Sequence, residues 1–162
     1  MSIDSNIKMK NIIIMLVVLV IGCLAVCGIV YYDVDKINEL DVTECKLTDT
    51  VEWDIDKVEV SDSLLISGWA LIPGEKITSA DYSVVLYDGE SDKYLALPTQ
   101  CDGRTDMNSR FTDGIDYFCT GFLSRVSLRK LDLNNKEYKI FINYKNNGYN
   151  YLIDTNQYVK GN

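Results

Sequence analysis

A run of apolar residues near the start of the chain limits its possible folds more than any other feature. Residues 12–32 read IIIMLVVLVIGCLAVCGIVYY, which is 21 positions without a charged side chain. As a helix rising about 1.5 Å per residue, this run is about 30 Å long, the thickness of the hydrocarbon core of a bilayer. A lone segment in lipid must satisfy its backbone hydrogen bonds internally, and only a helix does so. The sequence therefore predicts a transmembrane helix over residues 11–32.

The charges on either side of this run predict its orientation. Lys8 and Lys10 precede it, whereas Asp33 and Asp35 follow it. Basic residues beside a membrane span stay on the cytoplasmic side. We therefore expect residues 1–10 to be a cytoplasmic tail, and the rest of the chain to be extracytoplasmic and held at the cell membrane by a single span.

Two kinds of processing compete with an uncleaved anchor. Val20–Cys23 (VIGC) has the form of a bacterial lipobox, in which cleavage before Cys23 leaves a lipid-modified cysteine. The residues after Cys23 stay apolar through Tyr32, however, whereas a lipoprotein tether is normally polar. The run is also longer than the apolar region of a cleaved secretory signal. We favour the uncleaved anchor, in which Cys23 and Cys27 are packing residues on one helical face.

The chain after the helix contains one candidate domain. Residues 33–50 are acidic and show no long periodic pattern, so they are predicted to form a juxtamembrane stalk. Residues 51–160, about 110 residues, are enough for one compact hydrophobic core.

Apolar and polar residues in this domain alternate with a period of two, which is the pattern of β-strands. Val51, Trp53 and Ile55 begin the alternation, and Asn146–Gly148 (NNG) carries a strong hairpin signal near the end. Short turns separate the strands, without an amphipathic helix between them. The predicted fold class is all-β, an immunoglobulin-like sandwich of about seven strands. The predicted strands cover residues 51–60, 64–72, 82–87, 93–97, 118–126, 138–145 and 149–157.

Two aromatic residues are predicted to have structural roles in this sandwich. Trp69 lies in an early strand that is apolar on both faces, and we expect it to fill the core between the two sheets. Tyr138 begins the penultimate strand after a polar loop, which is the position of a tyrosine corner, whose hydroxyl bonds back to the preceding backbone.

Four short patterns in the domain carry a family resemblance. Over about residues 52–157 the chain resembles an immunoglobulin-like module of exported or membrane-anchored proteins of low-GC Gram-positive bacteria that are associated with surface polysaccharides. That module more often has Phe at the position of Leu71. The patterns are Ile66–Gly74 (ISGWALIPG), Arg104–Met107 (RTDM), Thr120–Phe122 (TGF) and Glu137–Ile142 (EYKIFI), followed by Tyr151.

The resemblance implies a fold and a location rather than a reaction. It implies a surface β-sandwich that accompanies envelope assembly, in which Gly121 and Phe122 are structural. It carries no catalytic residues to this chain. The three cysteines after the helix, Cys45, Cys101 and Cys119, depart from the cysteine-free pattern of the module.

Composition and motifs argue against catalysis. The chain has no histidine, which excludes Ser-His-Asp and Cys-His hydrolases and His-ligated zinc or haem. Its net charge of −8 argues against nucleic acid as a partner. No Walker A loop, Gly-rich dinucleotide loop, CxxC pair, nucleophile elbow or calcium loop occurs in the sequence. We therefore expect a protein that is not an enzyme, without catalytic residues, cofactor or metal.

Cys101 and Cys119 flank a polar stretch, and thiols tend to oxidise outside the cytoplasm. A disulfide between them would stabilise the domain by about 3 kcal/mol. Exported proteins of Gram-positive bacteria often lack disulfides, so two free thiols are the alternative. Cys45 would then be free or available for a bridge to another chain.

Arg104 and Asp106 form a second cluster in the same stretch. They are candidates for a polar ligand clamp at the edge of the sandwich. The alternative is an ion pair that pins a long loop to the sheet, with the Arg104 guanidinium bidentate on a carboxylate.

Tyrosines provide the third set of candidates, because aromatic rings stack on sugars. Tyr87 and Tyr94 are weak candidates for ligand binding, and Tyr149 and Tyr151 could extend the same exposed patch. Most aromatic side chains on strands are core residues or cross-strand pairs, which is the alternative interpretation.

The sequence leads to two hypotheses about function. In the first, a membrane-anchored β-sandwich of the cell envelope binds a surface polysaccharide or a protein of its assembly machinery. In the second, the protein is a structural or scaffolding subunit that acts through its transmembrane helix, where Gly22, Ala25 and Gly28 would permit close helix packing.

Overall fold

A computed structural model describes residues 3–34, 36–48 and 50–161, with the side chains of residues 12–28 in the first of these segments and all side chains in the other two. The chain forms two compact units, residues 1–34 and residues 35–162.

The first unit contains one helix, α1 (Ile3–Val34), which extends beyond the predicted bounds of residues 11–32 at both ends. Its described side chains, residues 12–28, are exposed along their whole length. Among the residues that the structure describes, no helix is both long enough and apolar enough to cross a membrane.

The second unit consists of two antiparallel sheets. The described residues of this unit form nine strands, one four-residue α-helix, α2 (Met107–Arg110), and two single-turn 3-10 helices, Phe118–Thr120 and Leu128–Lys130. This confirms the predicted all-β class. The strands are β1 (Asn38–Glu39), β2 (Glu52–Val60), β3 (Ser63–Leu71), β4 (Asp81–Asp88), β5 (Lys93–Ala96), β6 (Thr99–Asp102), β7 (Gly121–Ser127), β8 (Tyr138–Asn146) and β9 (Tyr149–Val159).

The five-stranded sheet, sheet A, has the order β1-β5-β4-β8-β9, and the four-stranded sheet, sheet B, has the order β2-β3-β7-β6. The main hydrophobic core takes alternate residues from strands of both sheets, as the period of two predicts. Central members that are fully buried include Leu64, Ile66, Val84, Leu86, Phe122, Ile140 and Ile142.

The predicted turn signals are found where the backbone needs them. Asn147 and Gly148 have φ values of 51° and 80° and join β8 to β9, as expected for a two-residue turn with a left-handed backbone at both central positions. Gly74, with φ 79°, follows the end of β3.

Trp69 is buried, but not between the sheets as predicted. Core-facing residues of β3 have even numbers, so an odd-numbered residue such as Trp69 or Leu71 points to the outer face of sheet B. There Trp69 belongs to a second cluster with Leu71, Met107 and Tyr117, all four at most 2% exposed. The loop between β6 and β7 covers this face, which explains why β3 is apolar on both sides.

Residues 36–48, which belong to the segment predicted to be a juxtamembrane stalk, form a strap across the outer face of sheet A. Leu40 N donates to Tyr94 O of β5 (2.8 Å), and Leu152 N of β9 donates to Lys46 O (3.0 Å). Leu40, Val42 and Cys45 in the strap pack on a third cluster of buried residues, which contains Val85, Phe141 and Leu152. The sequence of the strap shows no regular alternation of apolar and polar residues. Only a short part of the strap pairs as a strand, so most of its residues do not alternate between two faces of a sheet.

Two short edge strands, β1 and β6, were not predicted. Strand β6 lies between the predicted strands 93–97 and 118–126, and three of its four residues are exposed. Alternation arises where one face of a strand is buried, and most of β6 is exposed. Its backbone pairing with β7 leaves no such pattern in the sequence.

Tyr138 occupies the first position of β8 and is 4% exposed. Burial raises the pKa of its phenol, the Asp88 carboxylate adds a smaller raising effect, and the charge of Lys136 and the Asp132 backbone N–H lower it. The tyrosine corner stays a prediction, which the burial of Tyr138 at the start of β8 and the nearby Asp132 backbone fit.

Candidate functional site

Three tyrosines and one lysine form a row across the outer face of sheet A. The strand registers place Tyr94 of β5 opposite Tyr87 of β4, Tyr87 opposite Lys139 of β8, and Lys139 opposite Tyr158 of β9. Three strand spacings separate the ends of this row, which makes it about 14 Å long. We call these four residues the tyrosine row.

The rings of Tyr87 and Tyr94 pack on each other at one end of the row, and Tyr158 lies at the other end. The Tyr87 and Tyr94 rings lie 4.7 Å apart between centroids, and both contact Phe141, on the same face of sheet A, in edge-on geometry at 6.3 Å and 5.6 Å. Phe141 is buried at 6% exposure, whereas Tyr158 at the far end is 57% exposed. The aromatic side chains of the row are therefore carried by paired strands rather than by a loop.

Lys139 joins the two ends of the row. Its Nζ lies 5.3 Å from the Phe141 centroid and 5.9 Å from the Tyr158 centroid, which are cation–π distances. The same Nζ is 2.5 Å from Asp154 Oδ2. That hydrogen bond raises the pKa of Lys139 above its usual value, so the lysine is charged and its charge is already paired.

The strap and the turn after β4 give the Tyr94 end of the row an acidic rim. A shallow depression of about 390 Å³ lies here, lined by Tyr94 and by polar and apolar strap residues. Lys93 Nζ pairs with Glu39 Oε2 at 2.7 Å. The lining residues are Glu39, Leu40, Asp41, Val42, Asp92, Lys93 and Tyr94.

Two side chains at this rim are fixed by local hydrogen bonds. The Tyr87 hydroxyl donates to Asp92 Oδ1 (2.9 Å), and this bond raises the pKa of the phenol. Asp41 accepts from the Thr43 backbone N–H (2.9 Å) and hydroxyl (2.8 Å), which lowers the pKa of Asp41. Both carboxylates keep further lone pairs that can accept hydrogen bonds from a ligand.

Sequence reasoning found Tyr87 and Tyr94 but missed Lys139, Tyr158 and Asp154. Each of these three residues faces outward on its strand. Alternation in the sequence predicts the outward face, but it does not predict which residues of neighbouring strands lie side by side. Alignment of residues from four strands depends on the registers, including a bulge in β9 between the partners of Ile140 and Phe141. Nothing in the sequence specifies that bulge.

The Arg104 cluster has the geometry of a structural ion pair. Arg104 Nε and Nη2 bond the two oxygens of Asp106 at 2.9 Å and 2.7 Å, and Nη1 bonds Asp56. Asp56 is the extra residue where the β2–β3 register shifts. The bond from Arg104 lowers the pKa of Asp106 to about 2. Since both edges of the guanidinium are occupied, the contacts fit the loop-pinning alternative rather than a ligand clamp.

Gly121 is part of this arrangement. A Cβ at this position would lie 2.5 Å from Asp102 O and 2.7 Å from Arg104 Cγ. The Arg104 side chain thus lies directly over the first residue of β7. The next residue, Phe122, is fully buried in the main core.

Cys101, Cys119 and Cys45 are free thiols. Burial is the main cause that raises the pKa of Cys101, and the Cys119 thiol adds a smaller raising effect. Cys45 lies in the strap, half-buried, where Asn143 Nδ2 donates to its sulfur (3.7 Å).

Tyr149 and Tyr151 do not extend the tyrosine row. They belong to a separate ladder of stacked rings at the end of the sandwich, with Tyr144 6.4 Å from Tyr151 and Tyr151 5.8 Å from Tyr149. Lys46 Nζ lies 5.7 Å from the Tyr149 centroid. The four candidate tyrosines therefore lie at two separate places. Of the four, only Tyr87 and Tyr94 belong to the tyrosine row on sheet A.

The described residues contain no group of three or more cysteine and acidic side chains arranged to hold a metal ion. Comparison of the chain with protein-family models, curated protein sequences and solved structures finds no match in any of the three.

Proposed function

We propose that this protein is a non-catalytic binding or accessory protein of the cell envelope, held at a membrane by its apolar N-terminal helix. Its β-sandwich displays the tyrosine row to a surface polysaccharide or to a protein that assembles it. The row carries the proposal, because it places the exposed ring of Tyr158 (57%) and the partly exposed rings of Tyr87 and Tyr94 on one face of a sheet, and clustered exposed apolar surface marks interaction sites.

The strand order supports an immunoglobulin-like sandwich. If β2 to β9 are lettered A, B, C, C′, D, E, F and G, sheet B has the order ABED and sheet A the order C′CFG, with β1 added at its edge. Immunoglobulin domains have sheets with the same strand order. Tyr138 then begins strand F, the usual place of the tyrosine corner. Domains of this kind commonly bind through exposed surfaces and need no catalytic residues.

Membrane attachment is supported by the sequence and by exposure. The described side chains of α1 expose apolar surface over residues 12–28, for example Leu16 at 56% and Leu24 at 67%. Lys8 and Lys10 before this segment and the acidic residues after it favour an extracytoplasmic sandwich. The resemblance to envelope-associated modules favours the same location.

The binding proposal is tested with the full-length protein in detergent, mixed with cell walls and envelope polymers of a low-GC Gram-positive bacterium. We expect co-sedimentation that falls at least tenfold in Tyr158→Ala, because this substitution removes the most exposed ring of the row. Tyr149→Ala is the matched control, since Tyr149 is 47% exposed but lies outside the row. Equal retention of both variants, or no retention of the wild type, would contradict the proposal.

The alternative scaffolding function has one supporting observation. An added Cβ at Gly22 or Gly28 would meet nothing within 4 Å, so both glycines leave open surface on α1. If the helix is the functional element, Gly22→Leu should disrupt co-purification with partner membrane proteins and Tyr158→Ala should not. The binding function predicts the reverse.

A further inference from the structure

We infer that the ligand of the tyrosine row is an uncharged saccharide chain lying across the strands of sheet A. This inference rests on the proposed binding function and names the chemical class of its ligand.

The shape of the row suits an elongated ligand. Tyr94, Tyr87 and Tyr158 lie along one line, about 14 Å from end to end by strand spacing. Their rings are carried by three strands of one sheet, so the spacing between them is fixed by the hydrogen-bonded ladder. A short oligosaccharide has this length, and its rings recur at intervals that can meet successive aromatic groups.

The chemistry of the row suits sugars. The face of a tyrosine ring is electron-rich and attracts the polarised C–H groups of a pyranose face. Sugar hydroxyls need hydrogen-bond acceptors beside that contact. Asp41 and Asp92 at the rim and Asp154 near Tyr158 provide carboxylate oxygens at both ends of the row.

Charge decides between neutral and anionic polymers. Four carboxylates border the row, those of Glu39, Asp41, Asp92 and Asp154, against the two lysines Lys93 and Lys139. Each lysine is already paired, Lys93 with Glu39 and Lys139 with Asp154. A phosphodiester or uronate polymer would meet net negative charge with no uncommitted cation in these six side chains, which is unfavourable for binding.

The test uses affinity electrophoresis and calorimetry of the full-length protein in detergent. The neutral probes are soluble glucan, mannan and galactan, and the anionic probes are polyglycerol phosphate and hyaluronan. We expect binding to at least one neutral probe, with an affinity that changes less than twofold between 50 mM and 500 mM NaCl, because no ion pair forms with the ligand.

Matched variants locate the site. Tyr158→Ala should weaken binding at least tenfold, because it removes the most exposed ring of the row. Tyr149→Ala should match the wild type. Unchanged tryptophan fluorescence shows that each variant is folded.

The outcomes separate this inference from the function on which it rests. Row-dependent binding of an anionic polymer or of an envelope protein, without binding of any neutral probe, would overturn the inference and leave the binding function standing. Loss of all row-dependent binding to envelope material and to every probe would overturn both.

Discussion

Replacement of Trp69 by alanine is expected to lower the free energy of unfolding of the sandwich by about 3–5 kcal/mol, the range for large aromatic residues removed from a core. Trp69 is 2% exposed although it lies on the outer face of sheet B. It contacts Phe111 edge-on at 6.3 Å, and the Arg110 guanidinium lies 4.6 Å from its ring. Its loss leaves a cavity and also releases the segment around α2 that covers this face.

The measurement is urea denaturation followed by far-ultraviolet circular dichroism. Trp53→Ala is the control, because Trp53 is only half-buried, on the edge strand β2. Trp53→Ala should lower the free energy of unfolding clearly less than Trp69→Ala does. If the two substitutions have equal effects, the second cluster does not stabilise the fold as its burial indicates.

Substitution of Gly68 by alanine has the second largest expected effect, about 3 kcal/mol of destabilisation, at the upper end of the usual cost of overpacking. An added Cβ would clash with the backbone carbonyl oxygen of Asp54 and lie 2.8 Å from Phe122 Cζ. A carbonyl inside a sheet cannot move without breaking the β2–β3 ladder. The position therefore needs glycine for close approach of two strands, not for a special backbone angle.

Gly89→Ala is the matched control for this substitution. Its added Cβ would meet only Tyr87 Cε1, at 3.7 Å, which is an ordinary contact. Thermal denaturation should show a large decrease in midpoint for Gly68→Ala and little change for Gly89→Ala. A Gly68→Ala protein as stable as the control would mean that β2 and β3 do not approach this closely.

The regular strands were predictable, because burial of one face imposes a period of two on the sequence. Strands β3, β4, β8 and β9 lie within one or two residues of their predicted bounds. Trp69 was placed on the wrong side of sheet B because alternation divides residues between two faces and does not say what covers each face. The covering loop is polar in sequence, with apolar contacts at Met107, Phe111 and Tyr117.

The strap and the tyrosine row show the other limit of the sequence. Residues 36–48 read as an acidic stalk, yet hydrogen bonds to β5 and β9 hold them on sheet A. The tyrosine row combines residues 94, 87, 139 and 158, whose alignment follows from three separate strand registers. Registers are set by pairing in three dimensions, so no local pattern could reveal the complete site.

Hydrogen–deuterium exchange of the full-length protein, with and without its tightest-binding envelope polysaccharide, tests most directly whether the tyrosine row is the binding surface. Bound ligand is expected to slow exchange in residues 86–95, 138–142 and 154–159, which carry the row. Residues 101–119, around Arg104, should exchange at the same rate in both states. Protection confined to residues 101–119, with none in the strands of the row, would contradict the assignment of the binding surface to sheet A.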